Sequence, residues 1–67
     1  MKYRILAYRR PAESTVNELP KGTTRETAIA TAEAALRGDV TRVEVERWTG
    51  REWLFSWGKC GGENSEK

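Results

Sequence analysis

A chain of 67 residues holds one domain at most, near the size at which a single apolar core barely offsets the chain entropy lost on folding. With a net charge of +2, one cysteine and no histidine, the composition excludes an intrachain disulfide and the usual metal-ligand clusters, and gives no whole-molecule field to draw the chain onto nucleic acid or anionic lipid. Apolar runs fall short of a membrane span and the amino end lacks the order of a secretion signal, so the expectation is a cytoplasmic protein with no membrane partner.

From Lys2 to Arg9 the chain reads KYRILAYR and alternates, with Tyr3, Ile5 and Ala7 on one face and Arg4, Leu6 and Tyr8 on the other, before Pro11 closes the run. This is a strand. Both faces carry apolar groups, so alternation leaves the inward face open. Lys2, Arg4, Arg9 and Arg10 give the first eleven residues +4 without an acid, a local basic patch.

The stretch RPAESTVNELPKG, residues 10–22, is long for a loop in so small a domain. The apolar Val16 and Leu19 allow an extra short strand within 13–19 as the alternative to a loop. The element order would then be ββαββ.

A helix follows. TTRE at Thr23 to Glu26 has the spacing of a capping box with Thr23 as the cap. Ala28, Ile29, Ala32, Ala35 and Leu36 form one stripe up to about Arg37, which puts positive charge at the helix end, and Gly38 supplies a left-handed stop. A stripe so rich in alanine lets the helix sit close to a sheet that brings bulkier side chains.

Beyond Asp39, TRVEVERWTGREWLFSW reads as a hairpin. A three-residue loop Trp48-Thr49-Gly50 with Gly50 as a left-handed bulge would set Arg47 opposite Arg51, Val45 opposite Trp53 and Val43 opposite Phe55. Trp53, Phe55 and Trp57 would then face the alanine stripe, and hydrophobic patterning favours that register. Trp48 would sit exposed in the turn. The apolar last strand suits the middle of the sheet and the glutamate-bearing strand before it suits an edge.

The expected fold is therefore α+β: a small β-α-β-β domain over residues 1–58, with a three-stranded, mainly antiparallel sheet in the order 2-3-1 and one helix on one face. Residues 59–67, rich in glycine and polar groups, are expected to be a disordered tail.

Catalysis is not expected, since histidine is absent and the glutamates lie where nothing would raise a pKa. Cys60 reads as a solvated thiol. No phosphate-binding loop, cofactor site or metal site is legible. The expected activity is protein recognition, as a regulatory or inhibitory module. Its anchor is Trp48 flanked by Arg47 and Arg51, with Tyr8, Arg9 and Arg10 as further partner-binding residues, because aromatic and arginine side chains dominate interface hot spots. The chain is as short as the stand-alone regulators that phages and mobile elements often encode. Homodimerisation through an open sheet edge is a second expected association. A single-stranded nucleic-acid module using the arginines and aromatics of the sheet is the alternative, opposed by Glu44, Glu46 and Glu52 on the same face.

Overall fold

The computed structural model describes residues 2–9, 14–38 and 40–61. In chain order the elements are β1 (Lys2–Arg9), β2 (Ser14–Glu18), α1 (Arg25–Ala34), β3 (Val40–Trp48) and β4 (Trp53–Cys60). The short strand inside 13–19 is present as β2, so the order is ββαββ. The four strands form one sheet in the order β2-β1-β3-β4, with every neighbouring pair antiparallel.

The sheet order corrects the expected 2-3-1. The glutamate-bearing strand is internal, between β1 and β4, and the tryptophan-bearing strand is at an edge. The physical reason lies in the alternation VEVE. Val43 and Val45 are fully buried toward the helix, while Glu44 and Glu46 turn to the opposite face and meet polar groups from β1 and β3 itself. Charges answered by their neighbours do not confine a strand to an edge.

The inward face of β1 is Tyr3, Ile5 and Ala7. With Val40, Val43, Val45 and the helical Ala28 and Ala32 they form the core, flanked by half-buried Leu19, Ile29, Ala35, Leu36 and Trp57. The alanine stripe is therefore the buried face of α1, and it lies over β1 and β3. Ala28 and Ala32 expose no surface, which is the close approach that small side chains permit.

The helix boundaries shift. Thr24, not Thr23, is the N-cap, and its Oγ1 accepts from the Thr27 amide at 3.1 Å. Thr23 is held one residue earlier in a turn, its amide and hydroxyl both donating to the Pro20 carbonyl at 3.1 and 2.6 Å. The helix stops at Ala34 rather than near Arg37. Arg37 instead folds its Nε back onto the Ala34 carbonyl at 2.9 Å, placing a cation on the negative end of the dipole. Gly38 adopts φ +63°, the left-handed exit expected of it.

The hairpin register differs most from expectation. Trp48 faces Trp53, Arg47 faces Leu54, Glu46 faces Phe55 and Val45 faces Trp57, with a bulge between Val45 and Glu46 that leaves Ser56 as the extra residue. The loop is four residues, Thr49 to Glu52. The Thr49 amide donates to the Glu52 carbonyl at 3.0 Å, and the Thr49 hydroxyl oxygen accepts from the amides of Arg51 and Glu52 at 3.2 Å each. Thr49 thus satisfies turn amides that the shorter loop would have left to solvent. Because the bulge breaks the alternation, Trp57 keeps the core face while Trp53 and Phe55 turn to the other.

β4 continues through Cys60, and the Gly61 amide donates to the Thr41 carbonyl at 2.6 Å. The ordered strand passes the boundary expected at 58, and the remainder of the expected tail, 62–67, lies outside the described residues. No helix among the described residues is long and apolar enough to cross a membrane.

Candidate functional site: the open face of the sheet

With α1 on one side, the other face of the sheet is left to side chains alone among the described residues. Cross-strand pairing arranges them in rows. Lys2, Trp48 and Trp53 form one end. Glu18, Arg4, Glu46 and Phe55 come next, then Val16, Leu6, Glu44 and Gly58, and finally Ser14, Tyr8, Arg42 and Cys60.

The charges on this face are paired within it. Arg4 donates to Glu46 Oε1 through Nε at 2.8 Å, with Nη2 at 2.7 Å, both groups being mostly buried. Its guanidinium carbon stands 4.4 Å from the centroid of the Trp53 ring, a cation–π contact on a partly desolvated aromatic. Glu44 is shared, accepting from Arg42 Nε at 2.9 Å on one oxygen and from the Tyr8 hydroxyl at 3.2 Å on the other. Lys2 pairs with Glu18 at 3.4 Å along the rim.

This packing sets the chemistry of Tyr8. Its hydroxyl titrates above its ordinary value, first because burial disfavours the phenolate, and then because the Glu44 charge and hydrogen bond, with Glu46 behind them, oppose a second negative charge. Arg42 is held protonated more firmly than usual by its hydrogen bonds to Glu44 and then to the Cys60 sulfur, the latter at 3.2 Å.

Against these paired charges stand large apolar groups. Phe55 is 60% exposed and Val16 49%, and Trp48, Trp53 and Leu6 are half-buried on the same face. Gly58 makes the position of Phe55 possible: a Cβ there would meet the Phe55 ring at 3.1 Å and the Arg42 guanidinium at 2.8 Å. The bulge at Ser56 is anchored from the helix side, where Arg25 donates to the Ser56 hydroxyl at 3.0 Å and to its carbonyl at 3.1 Å.

The structure divides the partner-binding residues read from the sequence. Trp48 is the last residue of β3, half-buried against Trp53, and not an exposed turn residue. Arg47 lies on the helix side of the sheet, opposite Tyr3 and Leu54, so it does not ring Trp48. Arg51 is exposed in the turn. Tyr8 is on the open face but pairs with Arg42, whereas Trp48 pairs with Lys2. Six positions along β1 separate the two, about 20 Å of strand. Arg9 ends β1 and is exposed, and Arg10 lies outside the described residues. What sequence reasoning missed is the cluster of Phe55, Arg4 and Glu46 in one row with Trp53 in the next. Gly58 and the VEVE alternation are the signals that point to it.

Among the described residues no group of three or more acidic, histidine or cysteine side chains is placed to hold a metal ion. Comparison of the chain with protein-family models, curated proteins and solved structures finds no match.

Proposed function

We propose that this chain is a non-enzymatic interaction module, regulatory or inhibitory in its effect, that binds a protein partner on the open sheet face at its hairpin end. The observation that carries the reading is the combination on one face of exposed and half-exposed Phe55, Trp53 and Trp48 with charges already paired to each other. Burying such a face removes aromatic surface from water without stranding an unpaired ion, which is the composition of an interface centre. The same pairing argues against nucleic acid, because Arg4 and Arg42 hold carboxylates where a phosphate would have to sit.

The test is affinity capture from host extract with the wild-type chain, Phe55→Ala, Trp48→Ala and Ala30→Gln, the last on the exposed side of α1. One retained protein should then be titrated as a pure component. Phe55→Ala or Trp48→Ala should weaken it by about 2 kcal/mol or more, Ala30→Gln should leave it unchanged, and moderate salt should have little effect. Submicromolar binding of single-stranded nucleic acid that falls steeply with salt and is lost on replacing Arg9 and Arg10 would replace this reading with the alternative.

A further inference from the structure

The two edges of the sheet are unlike, and the difference points to a second copy of this chain as the occupant of one of them. The β4 edge is blunted: it carries the Ser56 bulge, the Ser56 carbonyl is occupied by Arg25, and Lys59 reaches across to Glu33. Bulges, charged side chains and occupied backbone groups are the devices that keep an edge from pairing. Among the described residues the β2 edge carries no bulge and no side chain bonded to its outward backbone groups, and its one charged residue, Glu18 at the end of the strand, is already paired with Lys2. Its five residues, STVNE, are all exposed, contain no proline, lysine or arginine, and pair with β1 in an unbroken register.

The phase of the β1–β2 ladder fixes which backbone groups face outward. The Leu19 amide donates to the carbonyl of Tyr3 at 2.9 Å, and with Arg4 opposite Glu18 this makes Tyr3–Leu19 a hydrogen-bonded pair. Alternation then assigns Asn17 and Thr15 to hydrogen-bonded pairs with Ile5 and Ala7. Ser14, Val16 and Glu18 occupy the intervening pairs, so their N–H and C=O groups point away from β1.

We infer that β2 pairs antiparallel with β2 of a second copy, about a two-fold axis at Val16. In that register Val16 meets Val16 of the other copy and Ser14 meets Glu18, each as a hydrogen-bonded pair, so every outward-pointing group of the strand is matched. The side chains agree with the backbone. The two valines join on the open face, where each lies beside its own Leu6, giving an aliphatic strip across the junction. Glu18 is opposite a serine and already carries Lys2 as its counter-charge, so no like charges oppose each other. Thr15 faces Asn17, a pair able to hydrogen-bond. Because α1 lies over β1 and β3, it leaves the flank of β2 clear, and because β4 is blunted the assembly closes as a dimer rather than a filament. With only five residues a side, well below the roughly 20–30 of a standard interface, association depends on protein concentration.

Sedimentation equilibrium of the full chain, alone and from micromolar to millimolar concentration, tests this without reference to any other partner. The sedimenting mass should double and stop there. Val16→Pro removes an outward N–H and no bond to β1, and Val16→Lys sets two cations face to face. Each should raise the dissociation constant at least tenfold while circular dichroism stays that of the folded chain, and Val16→Lys carries the test if Val16→Pro does not fold. Amide exchange should slow with concentration at Val16 and Glu18 and stay constant at Thr15 and Asn17. A chain that remains monomeric throughout, a dimer indifferent to Val16→Lys, or concentration-dependent protection along β4 instead of β2 would overturn the inference.

Discussion

Trp48 and Trp53 face each other across the closing end of the hairpin, their ring centroids 5.2 Å apart and their planes inclined by 50°. Such tilted aromatic pairs on adjacent strands add about 0.5–1.5 kcal/mol beyond the area they bury. The pair sits where the ladder ends and helps set a loop of four residues rather than three. Arg4 extends it on the Trp53 side. A double-mutant cycle of Arg4→Met with Trp53→Leu, followed by urea unfolding, should return a coupling of about 0.5–1 kcal/mol.

Trp57 and Phe55 should behave as opposites. Trp57 packs against the core and Phe55 is 60% exposed. Trp57→Ala should cost about 2 kcal/mol, less than the ~3–5 of a fully buried aromatic because part of its ring is solvated. Phe55→Ala should change stability by no more than about 0.5 kcal/mol. Chemical denaturation of the two variants checks both.

The alanine stripe should tolerate no enlargement. Ala28 and Ala32 are wholly buried between α1 and the sheet, so Ala32→Leu must push the helix outward or force strained rotamers, at about 1–3 kcal/mol. The same change at Ala30, exposed on the opposite side of α1, should be close to neutral. Thermal melts of the pair give the comparison.

Stability should fall on the alkaline side through Tyr8. Its folded value is raised above the ordinary 10, so between about 10 and the folded value the unfolded chain has lost a proton that the native chain still holds. The contribution is whole below about pH 10 and is lost as pH rises through the folded value. The tyrosinate absorbance that disappears in Tyr8→Phe should titrate above 10, and Glu44→Gln should bring it partway back. Unfolding free energies between pH 9 and 11 should decline less steeply in Tyr8→Phe than in the wild type.

Gly50 adopts φ +103° in the hairpin loop, a conformation that costs side-chain-bearing residues strain. Gly50→Ala should destabilise by about 1 kcal/mol or more even though a Cβ meets no atom there. Equilibrium unfolding in urea measures it.

The helix and its buried stripe, though not the positions of its two ends, were legible because a 3.6-residue period reports directly on one covered face, which Ala28, Ile29 and Ala32 carry within α1. The first strand was legible as a strand but not by face, since Leu6 and Tyr8 are as apolar as Ile5 and Ala7. The last strand misled for a definite reason. Counting by twos from Trp57 puts Phe55 and Trp53 on its side, and the count fails where an extra residue enters the ladder. The Thr49 hydroxyl, which caps the turn amides, the missing side chain at Gly58, and Arg25, which reaches Ser56 from a distant part of the sequence, favour that insertion through side-chain contacts that periodicity does not register. The strand order was misjudged for a related reason. Glutamates read as solvent-seeking until the groups that meet them, Arg4 for Glu46 and Arg42 with the Tyr8 hydroxyl for Glu44, are placed alongside.

The Ser56 bulge also separates what is free to vary from what is not. Trp57 faces Val45 and packs against the core, so it can change only in step with the buried residues around it. Phe55, turned out of the core by the same bulge and mostly exposed, carries no such obligation, whereas Trp53 remains tied to Trp48 and Arg4. In chains descended from a common ancestor with this one, drift at 55 would follow whatever that residue touches outside the molecule, while 57 would follow the core. Paired substitutions along that division would let the history of the surface be read apart from the history of the fold.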